Sequence, residues 1–591
     1  MSSPYDITIL PGLNSNNLES IMKDRLRATK NNKTVIPMLW QGLLEIPIAM
    51  DGQHRTAKYY IPKDTPQGTA IVYLNVPDGM DTISFLDASG WRAKADAEGF
   101  CLFLLEPDGQ WKSPEKEEKY VAAAVSTAKH AQYILAAFAP YVVGYGAIGT
   151  LLHKTIMADP LRTAAAVFFD AGSVEDAYRC EYKNKYYSIP DPYDPAGEAL
   201  HVSYRDIPIP VWFISESIDP QTEAMIGYWK NAERAGLPYT DEVYGTVYPQ
   251  NGKTEYTPEG NILKVAVQEK HYEYASPATT DMVYHFLKQY YRYGMGPLSN
   301  MISLKIEEES MGTVHRRFTD SNGIEREYLV YVPQAFRGGK KKLPAVLAYH
   351  GASQSMRNMM ANGMWYKIAD EEGIIIVYPE SGLAPMHNEH NFNTTFAYRP
   401  LWTILNKELI FTERDYANEL LDRIIAEFPI DTNRIYVTGH SMGCMMANFL
   451  GSTELSDRFA AIGATSGRLQ IREYTGVPPL PAFFTVGQFE LWNYMINQDN
   501  GVTAQIDMWL VRNGFATDET VREVRMNRAT QMYKEGRYNH YIWKDAEGTP
   551  WVRYAWIAMK HHVHTYDECQ VLWHQWFSRW HIGEDGQRHY T

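Results

Sequence analysis

Cysteine is scarce in this chain of 591 residues: Cys101, Cys180, Cys444 and Cys569 are the only four, and no two form a CxxC pair. That spacing excludes a disulfide framework and a thiolate zinc site, and leaves reduced thiols as the expectation. A basic stripe is also missing. The formal charge of -14 is spread along the chain, so neither nucleic acid nor an anionic membrane is expected as a partner, since both require clustered Lys and Arg. The opening residues, Met1 to Asp6, lack the basic start and apolar core of a secretory signal, from which cytoplasmic residence is expected. One charge-free run, Tyr133 to Leu152, has the length of a membrane span, but Pro140 and three glycines break it. It reads as a helix end, a buried strand from Tyr141 to Val143, a turn and a new helix.

What the chain does have is length and a hidden repeat. A chain of 591 residues is too long for one core, so at least two domains are expected. Asp51, Gly52, Arg55, Tyr60 and Pro62 recur in order as Asn322, Gly323, Arg326, Tyr331 and Pro333, about 270 residues later. Each set precedes an apolar strand, Ala70 to Leu74 or Ala345 to Tyr349. A second apolar run follows in each half, Phe100 to Leu105 and Ile374 to Tyr378, and then a helical stretch, Lys116 to Phe138 and Glu413 to Glu427. Strands alternating with helices predict a mostly parallel sheet covered on both faces. The fold class expected is therefore α/β, as two tandem domains over 1–300 and 301–591, with the junction in the segment around Tyr291 to Glu309, which holds Gly294, Gly296 and Pro297.

The second half carries the chemistry. Arg434 to Thr438 reads as a strand and Cys444 to Leu450 as a helix, so Gly439-His440-Ser441-Met442-Gly443 lies on a strand-to-helix turn. A GxSxG run in that setting is the nucleophile elbow of α/β-hydrolases, where glycines make room for a serine held in a strained conformation. A serine hydroxyl needs a base and an orienting acid, which in that fold follow in the order acid, histidine. Pro481 to Val486 reads as a strand whose following loop holds Glu490, the candidate acid. Tyr554 to Met559 reads as another, ending in Lys560-His561-His562-Val563-His564. His564, just before the closing helix from Asp567 to Arg579, is taken as the base in preference to His562.

Oxyanion donors are expected from the backbone N–H of Met442 and, through the loop His350-Gly351-Ala352-Ser353, from Ala352. His350, His440, Trp402 and Trp492 are candidates for substrate contact, with the aromatic stretch Phe392 to Trp402 and Tyr494 beside the acid as possible pocket walls. Three histidines in four positions, with His387 and His390 elsewhere, also invite a metal. No HExxH pattern supports one, and neither metal nor cofactor is expected.

The elements Tyr331-Val332-Pro333, His350-Gly351, Val377-Tyr378-Pro379-Glu380 and the run Asp431 to Ala447 resemble the polyhydroxybutyrate depolymerase and feruloyl esterase family over about residues 311 to 582. The resemblance implies a serine carboxylic-ester hydrolase acting through an acyl-enzyme on aryl, feruloyl-type or short hydroxyalkanoate esters. Peptidase or acyltransferase chemistry on the same fold is the alternative, and an inert binding protein a second. Glu490 stands where the family usually has Asp, a change the mechanism tolerates. In the first half Gly146 occupies the nucleophile position, Asp219 the acid position and Tyr274 the base position. That half is expected to be non-catalytic, packing on the second, shaping its entrance or mediating homo-oligomer assembly. The expected partner is a small-molecule ester.

Overall fold

A computed structural model describes residues 7–9 and 42–591, less 51–52, 64, 66–68, 132–138, 172, 192–195, 295, 299, 306–307, 353, 386–397, 406–408, 468–477, 491–501 and 516–528. Two large sheets carry the chain, of eleven and ten strands. At the centre of the first, six parallel strands lie in the order Cys101–Leu105, Ile71–Asn75, Tyr141–Tyr145, Ala165–Phe169, Val211–Ser215 and Lys264–Glu269. The second repeats the plan with Ile375–Pro379, Leu343–Tyr349, Ile430–His440, Ala461–Thr465, Ala482–Gly487 and Pro550–Ile557. Antiparallel strands close both flanks of each sheet. The central strands are continuous apolar runs because helices cover both faces and leave none for water. This is the expected α/β class, two tandem α/β-hydrolase folds.

The repeated residues of the sequence are repeated contacts. Arg55 is buried and donates to Glu117 at 2.9 Å from the strand Gln53–Ile61, and its guanidinium lies 3.7 Å from the centre of the Tyr120 ring. Arg326 likewise donates to Glu413 at 2.9 Å and lies 4.4 Å over Tyr416. Glu and Tyr sit three residues apart on the matching helices, Pro114–Ala131 and Ile410–Glu427, so one helical face presents both to the arginine. Each tyrosine hydroxyl then donates to the carbonyl of the residue after the arginine, Thr56 at 2.6 Å and Glu327 at 3.0 Å. The second marker behaves the same way, for Tyr60 and Tyr331 donate to Asp96 and Asp370.

A two-stranded hairpin, Tyr290–Tyr293 with Met301–Leu304, joins the halves. It lies in the expected junction segment, and its Ile302 packs into the first core beside Tyr290. Among the described residues no helix is long and apolar enough to cross a membrane; the run around Tyr141 is a buried strand leading into the helix Gly146–Ala158.

Candidate active site

The elbow forms where the strand Ile430–His440 gives way to the helix Met442–Gly451. Ser441 occupies the turn with φ 56° and ψ -112°, a conformation that costs a non-glycine residue about 1–3 kcal/mol and persists only where its surroundings enforce it. They do so by close approach. A Cβ on Gly443 would lie 2.0 Å from the Tyr349 carbonyl oxygen, and one on Gly439 2.2 Å from that of Gly443. The strand end, the helix start and the neighbouring strand Leu343–Tyr349 therefore meet only because both positions are glycine. The Ser441 amide donates to the Thr465 carbonyl at 3.0 Å, fixing the turn against the next strand.

Helix geometry leaves the first amides of Met442–Gly451 without an intrahelical acceptor, which makes the Met442 N–H available beside Ser441. The loop after Tyr349 supplies the opposite wall, with Gly351 so near that a Cβ there would lie 3.1 Å from that of Ser441. Its Ala352 is the expected second donor. The loop is braced by Gln354, which accepts the Gly351 N–H at 3.0 Å and donates to the Tyr293 hydroxyl. Tyr293 belongs to the joining hairpin, as does Tyr291, which accepts from Asn358. Two further contacts reach the same rim from the first half: Gln488 donates to Asp191 at 2.9 Å, and Gly296 lies against His561.

Glu490 is buried at the end of the strand Ala482–Gly487. Its Oε1 accepts from Gly487 N at 2.6 Å, Ser466 Oγ at 2.7 Å and Lys560 Nζ at 3.1 Å. Its Oε2 pairs with Nδ1 of His562, not of His564, at 3.0 Å. Burial opposes ionisation, but the Lys560 charge and the hydrogen bonds from His562 and Ser466 outweigh it and hold this carboxyl at about 2.

His564 lies elsewhere. Its Nδ1 faces Glu568 at 3.1 Å and its Nε2 faces Cys569 Sγ at 3.0 Å and the Trp365 indole N–H at 3.2 Å. Both ring nitrogens are thus engaged, and only 1% of the residue is exposed. Glu490 thus pairs with His562, and the expected base His564 pairs with Glu568. The two His–Glu pairs share one cation, since the buried Lys560 ammonium also lies 3.5 Å from Glu568. Thr485 donates to Glu568 as well, and burial is outweighed there too, chiefly by Lys560 and His564, so that this carboxyl is held below its usual range.

Three of the expected substrate contacts, His440, His350 and Trp402, are buried. His440 is 1% exposed, its ring centre lies 4.7 Å from that of His562, and neither of its nitrogens has a hydrogen-bond partner among the described residues. Burial, then the charges of His562, Lys560 and His564, hold it well below the ordinary histidine value, so it is a neutral spacer. His350 is fully buried with Nδ1 on the Gly351 carbonyl at 2.8 Å and Nε2 on the Ser381 amide at 3.1 Å. Trp402 is also buried and donates to the His350 carbonyl at 2.8 Å. These residues shape the loop from behind. Trp492, Tyr494, Ser353, His387 and His390 lie outside the described residues; among those described, no cluster of three metal-ligating side chains occurs.

Sequence reasoning passed over Lys560, Ser466 and Glu568. A signal existed for the last: Thr565 and Glu568 form a capping box on the helix Tyr566–Gln575, which turns Glu568 back toward the residue before the cap.

Stability should report the Glu490 network. A carboxyl whose folded pKa is depressed contributes stability above its unfolded value, about 4.3, and loses it as pH falls toward the folded value of about 2. Thermal melts between those pH values should drop steeply for the wild type and less steeply for Glu490→Gln. Equal slopes would show that the carboxyl does not titrate in that window.

In the first half the same turn persists without a nucleophile. Gly146 has φ 58°, close to that of Ser441. Asp219 caps the helix Pro220–Glu233 by accepting from Thr222 N at 2.7 Å, and Tyr274 donates to Asp170. None of these residues forms a base and acid pair with another.

Residues 320–579 match a family model described as a putative esterase, within the span of the resemblance read from the sequence. The chain is 26% identical over 165 residues to a bifunctional acetylxylan esterase/xylanase of Neocallimastix patriciarum, covering 28% of this chain and 21% of the relative. It is 25% identical over 243 residues to poly(3-hydroxyalkanoate) depolymerase C of Paucimonas lemoignei, covering 37% of this chain and 54% of the relative. It therefore spans between about a fifth and about half the length of these curated relatives. Among solved structures, an acetyl xylan esterase from Aspergillus awamori aligns with 45% of this chain and 99% of its own, at a TM-score of 0.32 and 14% identity.

Proposed function

Since residues 320–579 form a domain of the esterase family, we propose that this half is a serine carboxylic-ester hydrolase whose catalytic triad is Ser441, His562 and Glu490. The observation that carries the reading is the elbow conformation of Ser441 together with the hydrogen bond between Glu490 and His562 Nδ1. Glu490 fixes the tautomer with the proton on Nδ1, leaving the lone pair on Nε2. Ser441 Oγ attacks the ester carbonyl as Nε2 takes its proton. The negative oxygen of the tetrahedral intermediate is held by the amides of Met442 and Ala352. The alcohol departs with the proton from His562, and water, deprotonated by the same nitrogen, then releases the acid and restores Ser441.

Relatives named for acetylxylan and poly(3-hydroxyalkanoate) support small acyl groups or hydroxyalkanoates as the substrate class, with feruloyl-type esters also expected from the sequence resemblance. The first half is read as a non-catalytic partner, a role supported by Gly146 in place of the nucleophile and by its contacts with the rim of the site. Rapid mixing with p-nitrophenyl acetate tests both statements: one burst of nitrophenol per chain is expected, followed by steady turnover. Two per chain would give the first half a nucleophile, and no turnover of this ester, methyl ferulate or hydroxybutyrate oligomers would remove the esterase reading.

If Tyr293 positions the oxyanion loop through Gln354, its hydroxyl contributes to rate rather than affinity. Tyr293→Phe should lower kcat roughly tenfold, a fraction of the 10²–10³ lost with a whole oxyanion donor, with KM little changed. An unchanged kcat would make the contact structural only.

A further inference from the structure

A cavity of about 490 Å³ lies at the far edge of the second sheet, away from Ser441. It forms because the edge strands Gln531–Glu535, Tyr538–Lys544 and Pro550–Ile557 expose one face that is only partly roofed. Tyr533 pairs with His540, and Ile542 with Arg553, so alternate residues of the three strands share that face. The end of the helix Tyr566–Gln575, Arg579 and Tyr590 form the roof.

Arg553 is the unusual member of the lining. It is 4% exposed and carries its charge into the wall of the cavity, yet every group to which it donates a hydrogen bond is neutral, and Glu535 acts on it only from a distance. Its Nε donates to His540 at 3.3 Å, Nη1 to the Gln575 carbonyl at 3.2 Å, and Nη2 to Tyr533 Oη at 2.7 Å and to Gln575 Oε1. Among the described residues no carboxylate forms an ion pair with it; Glu535, on the same rim, instead accepts from Gln575 Nε2 at 2.9 Å. Arg326, also buried in this half, shows the contrast, because it meets both Asp320 and Glu413. Burying a guanidinium without a counter-charge is costly. Burial holds Arg553 below its ordinary value, and burial followed by the Arg553 charge pulls His540 down to about 3, so His540 stays neutral and adds no competing charge.

The remaining charges on the lining point the same way. Lys544 and Arg579 join Arg553 as cations against the single Glu535, a local excess of positive charge in a chain whose formal charge is -14. Arg553 has one Nη1 hydrogen left over from these bonds, in the plane that suits a carboxylate. Tyr533, Tyr590 and Gln531 supply ring faces and polar groups for the body of a ligand, and the volume is in the range of small-molecule sites.

We propose that this cavity is a second ligand site, distinct from the ester-hydrolysing one, which binds an organic carboxylate of about sugar-acid size, with Arg553 as its counter-ion. The inference rests on Arg553 and its cavity and does not depend on the esterase reading.

Calorimetry and thermal shift on the full chain test it, with D-glucuronate, D-glucose and inorganic phosphate as probes at fixed ionic strength. Glucuronate should bind and raise Tm, glucose should do neither, and Arg553→Gln should weaken glucuronate at least tenfold. Arg579→Gln, on the exposed roof, provides a variant that does not disturb the interior and should weaken binding several-fold. Equal responses to glucuronate and glucose, no response to either, or undiminished binding in both variants would overturn the proposal. Phosphate binding tighter than glucuronate would overturn the assignment to a carboxylate.

Discussion

His562→Ala should lower kcat/KM for p-nitrophenyl acetate by about 10⁴-fold, the scale of losing a general base that acts as a unit with its nucleophile. His564→Ala should leave it within about tenfold. The two histidines stand two residues apart in one loop, and only their partners separate them. His562 faces Glu490, while both nitrogens of His564 are taken up by Glu568, Cys569 and Trp365. The expected cost of His564→Ala is in folding. It takes one partner from the buried Glu568, which keeps Thr485 and Lys560, and leaves the Trp365 indole N–H without an acceptor, a loss of about 1–3 kcal/mol, so melting temperature should fall while the surviving activity per folded molecule changes little. Steady-state kinetics and melts on both variants measure this, and a larger kinetic loss for His564→Ala would reverse the assignment.

Ser441→Ala should remove at least as much activity, about 10⁴-fold or more, with the fold intact. Alanine at the elbow keeps a Cβ and therefore the same backbone demand, so the loss would be chemical. What remains would be the contribution of binding and of the oxyanion amides, which is not zero in enzymes of this design. Because Gly146 carries no hydroxyl, no activity from the first half should mask the loss. Stopped assays at high enzyme concentration would detect the residue, and near-wild-type rates in Ser441→Ala would place the nucleophile elsewhere.

The duplication was legible because its markers are buried and paired. Arg55 with Glu117 and Arg326 with Glu413 are each a charge whose loss would leave its partner stranded in the core, so a helix, a strand and their register are tied to a few letters of sequence. The elbow was legible for a related reason: Gly439 and Gly443 meet carbonyl oxygens at distances no side chain tolerates. Glu490 was read as the candidate acid from chain order, since its loop ends the strand two places along the sheet from that of the elbow.

That Glu490 pairs with His562 and Glu568 with His564 was not legible. A loop has no period to fix which side chain faces inward, and the decision falls to contacts from distant segments, Trp365 and the helix cap at Thr565. His350, His440 and Trp402, candidates for substrate contact in the sequence, are buried, a placement that no local pattern records. The bracing of the oxyanion loop by Tyr293 joins residues 61 positions apart across the junction of the two halves, which no local pattern records. The junction was read from Gly294, Gly296 and Pro297 in the segment around Tyr291 to Glu309, and that segment contains the hairpin of Tyr290–Tyr293 with Met301–Leu304.

Labelling the intact chain with a fluorophosphonate and weighing it by mass spectrometry tests the central claim most directly. One adduct per chain, located on Ser441 and slowed at least a hundredfold in His562→Ala but not in His564→Ala, is the result expected. No adduct, an adduct on another residue, or the reverse dependence on the two histidines would contradict the account.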